Sequence, residues 1–200
     1  RRYCPELFLI PRLIRCLLNI KLFQFMNKNN INQDPGYFDR YIGLVPDQSI
    51  TDALLEFATS YIKKEQPNLE QLGDRVYADG KWTIKQILQH LIDTERVFQY
   101  RALRFSRGDE TALPSFDENK FADAADVSNR TIEDLLEEFD YLRKSVIMMY
   151  INFSDAEMQR KGTASTNTVS VLGLGYTMVG HVIHHMNVIR ERYYPLLTNV

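Results

Sequence analysis

Histidine is scarce in this 200-residue chain, and it is not scattered: His181, His184 and His185 fall within five residues, and His90 stands apart. Neutral imidazole is a ligand for zinc, nickel, copper or iron. Side chains on a helix advance by about 100° per residue, so His181 and His185 lie about 40° apart on a wheel. The same arc holds Leu174, Met178, Val182 and Ile189. His184 falls about 300° round, among Thr177, Asn187 and Glu191, and is set aside as solvent- or loop-facing. His90 borders an apolar face made by Ile84, Ile87, Leu91 and Phe98, with Thr94 one turn on. An i, i+4 pair on one helix and a third imidazole from another can supply three ligands to a divalent ion and leave positions open for water or substrate. That is a catalytic rather than a closed structural pattern. The alternative at this point is three core-edge histidines, each satisfied by a hydrogen bond.

Glu95 falls at about 140° from His90, inside the hydrophobic arc. A carboxylate there needs a partner, a proton or hydrogen bonds. It is a candidate for shuttling protons behind the metal ligands, or for a structural carboxylate that caps a helix or pairs with an arginine. Thr94, Asp93 and His184 are further candidates, the last two reading as solvated. Other chemistries find little support. Both cysteines, Cys4 and Cys16, lie at the start of the chain, so thiolate catalysis and thiolate metal sites are excluded beyond them. No HExxH, Glu-x-x-His, phosphate-loop or nucleophile-elbow pattern occurs.

These histidines must be carried by helices, and the hydrophobic periodicity supplies four. The first is predicted over 49–64, with Ile50, Leu54, Leu55, Ala58, Tyr61 and Ile62 at helical spacing. Pro67, Gly73 and Asp79–Gly80 mark a loop after it. The second opens at Thr83, whose spacing to Gln86 is that of a capping box, and runs to about Arg107. The third starts near Thr131 and Asp134 and shows Leu135, Leu136, Phe139, Leu142, Val146 and Met149 on its core face; the fourth covers 171–194 and stops at Pro195. Residues 166–171 are the one weak strand candidate. The pattern is that of an all-α four-helix bundle. The second and third connections are each roughly 20 residues, long enough for one to cross the bundle or cover a site.

The net charge of −2 argues against a protein that works by gripping nucleic acid. Residues 1–25 carry five basic residues against Glu6, a surplus of four positive charges that leaves residues 26–200 at −6. No uncharged run approaches the ~20 residues of a membrane span, and no signal-cleavage pattern follows, so the expected compartment is the cytoplasm. Residues 1–25 read as an extension outside the domain, with Met26 a candidate start; a basic amphipathic membrane arm is the alternative. The expected organisation is this extension, a polar linker over 26–45 and a bundle over 46–197.

Two stretches carry a family resemblance. Residues 80–95, GKWTIKQILQHLIDTE, resemble the second-helix signature of the DinB/YfiT-like family, and residues 180–189, GHVIHHMNVI, its fourth-helix signature. The resemblance covers about residues 45–195. It implies an up-down-down-up bundle and metal binding by His90, His181 and His185, in agreement with the wheels. It further implies zinc or nickel, with iron or manganese next, and a homodimer. The implied activity is a metal-dependent hydrolase or a thiol S-transferase that uses a low-molecular-weight thiol on a small electrophilic substrate. A non-enzymatic, stress-related binding bundle with a vestigial site is the alternative. Val188 stands where that family often carries Gln, so a polar contact near the site is expected to be missing.

Overall fold

The structure, a computed structural model, describes residues 26–32 and 36–198. The expectations for residues 1–25 lie outside the described residues. Its helices, in chain order, are α1 (Asp39–Ile42), α2 (Ile50–Glu56), α3 (Thr59–Lys63), α4 (Gln66–Leu72), α5 (Ile84–Ser106), α6 (Glu118–Ala124), α7 (Ile132–Tyr150), α8 (Asp155–Gln159) and α9 (Val171–Val188). A two-stranded antiparallel hairpin, β1 (Lys161–Ala164) and β2 (Asn167–Ser170), precedes α9.

The long helices begin where side chains satisfy the first orphan amides. Thr83 Oγ1 accepts from Gln86 N at 3.3 Å, while Gln86 Oε1 accepts from Thr83 N at 2.8 Å. Thr131 and Asp134 repeat the reciprocal pair at the head of α7, and Ser170 caps α9 through Gly173 N.

Two core clusters then fix the topology. One holds Ile50 and Leu54 of α2, Phe98 and Phe105 late in α5, Val146 and Tyr150 late in α7, and Val171 and Leu174 early in α9. The other holds Ile62 of α3, Ile84 and Leu88 early in α5, Ile132 and Leu136 early in α7, and Val182 and Met186 late in α9. Thus α5 and α7 run parallel to each other and antiparallel to both α2–α3 and α9, an up-down-down-up bundle. Parallel neighbours need a long return, which is why the connection between α5 and α7 is long. None of the helices among the described residues is long and apolar enough to cross a membrane.

Three expectations need correction. The predicted linker over 26–45 is not a free tether: residues 36–42 form a 3-10 turn and α1, and Met26, Phe38, Tyr41, Ile42 and Val45 are buried. Composition suggested solvation there, but the apolar residues among the polar ones reach the core. The first helix is broken at Phe57–Ala58, where Ala58 turns extended. The break falls where the chain passes from one core cluster to the other, and Phe57 packs on Tyr61 with ring centroids 4.9 Å apart. Pro67, read as marking a loop, sits instead near the start of α4, where its missing N–H costs no intrahelical bond. The fourth helix also widens into a π turn over Ile189–Tyr193 before Pro195. The weak strand candidate is real and forms β2.

Candidate metal centre

Glycine sets the position of α1 against the site. A Cβ on Gly180 would run into the Tyr41 carbonyl, so only glycine there lets the α1 backbone lie directly on α9, one residue before His181. Tyr41 then meets the rings of His181 and His184 edge-on, at 5.3 and 5.6 Å between centroids. On the other side Trp82, held by the hydrogen bond from Tyr193 Oη to its carbonyl at 2.5 Å, lies 4.8 Å from the His90 ring.

Between these aromatic walls the structure brings together His90 and His181, both buried, and the half-buried His185. His181 Nε2 lies 3.0 Å from His90 Nε2 and 3.1 Å from His185 Nε2. An imidazole nitrogen has one in-plane lone pair or one hydrogen, so it serves one in-plane partner at a time. His181 Nε2 therefore cannot hydrogen-bond fully to both neighbours, whatever the tautomers. A shared cation satisfies all three at once, and the donor set is the one that zinc, nickel, copper and iron accept. Burial lowers the His90 pKa to about 4, with a smaller push from His184. His181 and His185 are held well below the usual imidazole value, first by burial and then by neighbouring histidines. The cluster is thus neutral at pH 7, the form that ligates metals.

The histidines open on a cavity of about 400 Å³, which His184, Thr94, Phe98, Arg101 and Phe116 also line. Its outer wall comes from three non-bundle segments. Residues 36–42 provide Tyr37, Phe38, Arg40 and Tyr41. The loop through Leu113 docks on the hairpin by Leu113 N to Thr163 O (2.9 Å) and Ser165 N to Leu113 O (2.8 Å). That docking sets Ser115 and Phe116 beside Ser165 and Asn167 on the cavity wall. Ser165 adopts φ +59 in the hairpin turn, a left-handed conformation uncommon outside glycine.

The other predicted residues fall differently. Thr94 Oγ1 approaches His90 Nδ1 at 3.5 Å, the outer limit of a hydrogen bond, and is buried on the cavity wall. His184 lines the cavity but contributes no nitrogen to the cluster of three. Asp93 points away from it, accepting from Gln89 Nε2 at 3.0 Å and lying 3.7 Å from Arg96. Glu95 is fully buried against Arg143 of α7: Arg143 Nη2 donates to Oε2 at 2.8 Å, and Nε lies 2.6 Å from Oε1. The second approach is close but poorly aligned, leaving Nε and Oε1 without a directional hydrogen bond. Burial pushes the Glu95 pKa up, and Arg143 opposes it. Glu95 does not line the cavity; its partner is the arginine. Val188 lies on a smaller cavity of about 300 Å³ that shares Trp82, His184 and His185 with the first. Sequence reasoning missed Tyr37, Arg40, Tyr41, Phe98, Arg101 and Phe116 as wall residues; the crowding of aromatics at 37–41 within a polar stretch was the available signal.

Fold and site together define a four-helix bundle in which α5 and the last helix, α9, gather three histidines at the floor of a cavity. The chain belongs to the DinB superfamily, whose profile matches residues 48–189. It is 30% identical over 122 residues to a Geobacillus thermodenitrificans protein named "Putative metal-dependent hydrolase", covering 59% of this chain and 67% of that one. A protein of Oceanobacillus iheyensis with the same descriptive name is 23% identical over 121 residues, 60% of this chain and 68% of that one. Among solved structures, YfiT from Bacillus subtilis, described as "a probable metal-dependent hydrolase with an unusual four-helix bundle topology", superposes with a TM-score of 0.59. The match spans 88% of this chain and 93% of YfiT at 17% identity, and it carries the fold.

Proposed function

We propose that His90, His181 and His185 hold one divalent cation and that the cavity above them takes a small electrophilic substrate. The observation that carries this reading is the convergence of three neutral Nε2 atoms that hydrogen bonding cannot satisfy among themselves, at the floor of an open cavity. A divalent ion there supplies Lewis acidity, which makes a water or a thiol nucleophilic at neutral pH. The chain's own groups do the rest. Burial keeps the three imidazoles unprotonated, Trp82 and Tyr41 fix their ring planes from either side, and Phe98 and Phe116 keep water from the apolar part of the cavity. The reaction is attack on the electrophile, by water in a hydrolase or by a low-molecular-weight thiol in an S-transferase. The hydrolase names of the relatives support the first, and the mixed polar and aromatic walls fit either. Zinc and nickel suit three imidazoles best, with iron or manganese as further occupants.

Metal analysis tests the assignment. Purified protein loaded with zinc or nickel and then dialysed should retain about one ion per chain and melt at a higher temperature than the stripped protein. His181→Ala should lose both the ion and the metal-dependent rise in Tm. Unchanged metal content in that variant would overturn the ligand assignment. Turnover of small electrophiles, with and without added thiol, then separates hydrolysis from transfer.

A further inference from the structure

Arg101 is only 6% exposed, yet among the described residues no carboxylate lies within ion-pair range of it. Its visible polar contact is donation from Nη2 to the Pro114 carbonyl at 2.8 Å. Phe98 and Phe116 flank the guanidinium, each ring centroid 5.8 Å away. Aromatic faces ease a buried cation but do not neutralise it. A guanidinium has five N–H donors, so one is used and at least one complete two-pronged edge remains. Burial lowers the Arg101 pKa from its ordinary value, but an arginine stays charged in a protein at neutral pH.

Its place in the fold gives this charge a direction. His90, Thr94, Phe98 and Arg101 form one stripe along α5, and all four line the same cavity. The Phe98 ring spans the interval, 6.4 Å from the His181 ring at one end and 5.8 Å from the Arg101 guanidinium at the other. The other charged groups on the wall are exposed: Arg40 donates to Tyr41 Oη at 3.0 Å and lies 4.0 Å over the Tyr37 ring, and Glu118 makes no ion pair with Arg101. One end of the cavity thus offers a fixed planar cation, its middle an aromatic surface, and the other end the histidine cluster.

We propose that Arg101 anchors the carboxylate of the substrate, a small molecule with an apolar or aromatic body lying over Phe98 and its reactive centre turned toward the histidines. This deepens the proposed function and rests on the reading that the cavity receives the substrate. A two-pronged carboxylate fills the free guanidinium edge, which no acid among the described residues occupies.

The test uses metal-stripped protein, so that a carboxylate cannot bind through an ion. Trp82, the chain's single tryptophan, lines the cavity and reports occupancy by fluorescence. Benzoate and its uncharged isostere benzamide are the probes. Benzoate should bind saturably and more tightly than benzamide. Arg101→Met should weaken benzoate by about tenfold or more and leave benzamide unchanged, as expected for losing a charge-assisted hydrogen bond. Arg101→Lys, which keeps the charge and loses the fork, should fall between. If the methionine variant fails to fold, the wild-type preference for benzoate and its decline with added salt decide the matter. Absence of a saturable benzoate response, equal affinity for the two probes, or undiminished benzoate binding in Arg101→Met overturns the proposal. Metal content, measured separately, keeps the two readings apart. A chain that binds benzoate through Arg101 but holds no ion loses the metal centre and keeps the anchor; the reverse result loses the anchor alone.

Discussion

Glu95 and His90 lie five residues apart on α5 and meet opposite environments. Glu95 points into the packed contact with α7, where Arg143 supplies its countercharge, and neither residue lines the histidine cavity. His90 points toward α9, where its Nε2 meets the Nε2 of another neutral imidazole at 3.0 Å and an open volume lies above. Both are buried polar groups, and burial alone does not separate a structural residue from a functional one. What separates them is whether another side chain of the protein supplies the charge or ligand that the group calls for. Glu95 has its countercharge inside the protein, on the neighbouring helix. The histidines leave unmet coordination capacity facing a cavity.

The sharpest way to break the comparison is to unbalance the closed side. Arg143→Met leaves the Glu95 carboxylate buried without its countercharge, and removing one partner of such a pair typically destabilises by about 3–5 kcal/mol. The double variant Glu95→Met/Arg143→Met should recover most of that loss, because an apolar pair of similar volume needs no compensation. Urea unfolding of the wild type and of both variants measures the cycle. The folded fraction of every variant should bind metal as the wild type does. Loss of metal in a well-folded double variant would show that Glu95 acts on the histidines after all.

The next test acts where the fold meets the site. Gly180→Ala gains up to about 1 kcal/mol of helix propensity. It also drives a Cβ into the Tyr41 carbonyl, a backbone group that moves only with the whole of α1. Overpacking of this kind costs about 1–3 kcal/mol, so the steric term should win and the urea midpoint should fall. Displacement of Tyr41 from the His181 ring should also weaken metal binding, which equilibrium dialysis would detect. A variant as stable as the wild type with unchanged metal affinity would mean that α1 yields freely and does not position the cluster.

The same contrast explains what the sequence could and could not reveal. The periodicity of 84–106 and 132–150, and the threonine caps before them, is local information, and those helices form where they were expected. The inward faces of His90, His181 and His185 follow from spacing alone, because a helix fixes side-chain direction once its core face is known. The cavity wall was not legible. Tyr37, Arg40 and Tyr41 lie in a stretch whose polar composition suggested a tether, and their position depends on a contact with Gly180 far along the chain. Phe116 is placed by the docking of a loop on the hairpin, which no helical or strand period records. Arg101 was visible as a residue, but that no acid among the described residues pairs with it is a property of three dimensions. The partner of Glu95 was unknown for the same reason, although an arginine was one of the options its position allowed.

The smallest expected effect concerns Thr94, one helical turn beyond His90. Its Oγ1 lies 3.5 Å from His90 Nδ1, too long for a strong hydrogen bond yet on the nitrogen opposite the cluster. A group on that nitrogen fixes the tautomer and aims Nε2 into the cluster; losing a well-formed contact of this kind costs roughly 10–100-fold in metal affinity. The long distance puts Thr94 at or below the low end, so Thr94→Val should weaken metal binding by about tenfold at most. Valine keeps the branched shape, so cavity walls and stability should change little, while Thr94→Ser keeps the hydroxyl and should bind metal nearly as the wild type does. Competition with a chromophoric chelator resolves differences of this size. If valine and serine weaken binding equally, Thr94 acts by packing on the imidazole rather than by accepting its proton, and the ring is held by Trp82 and the helix itself.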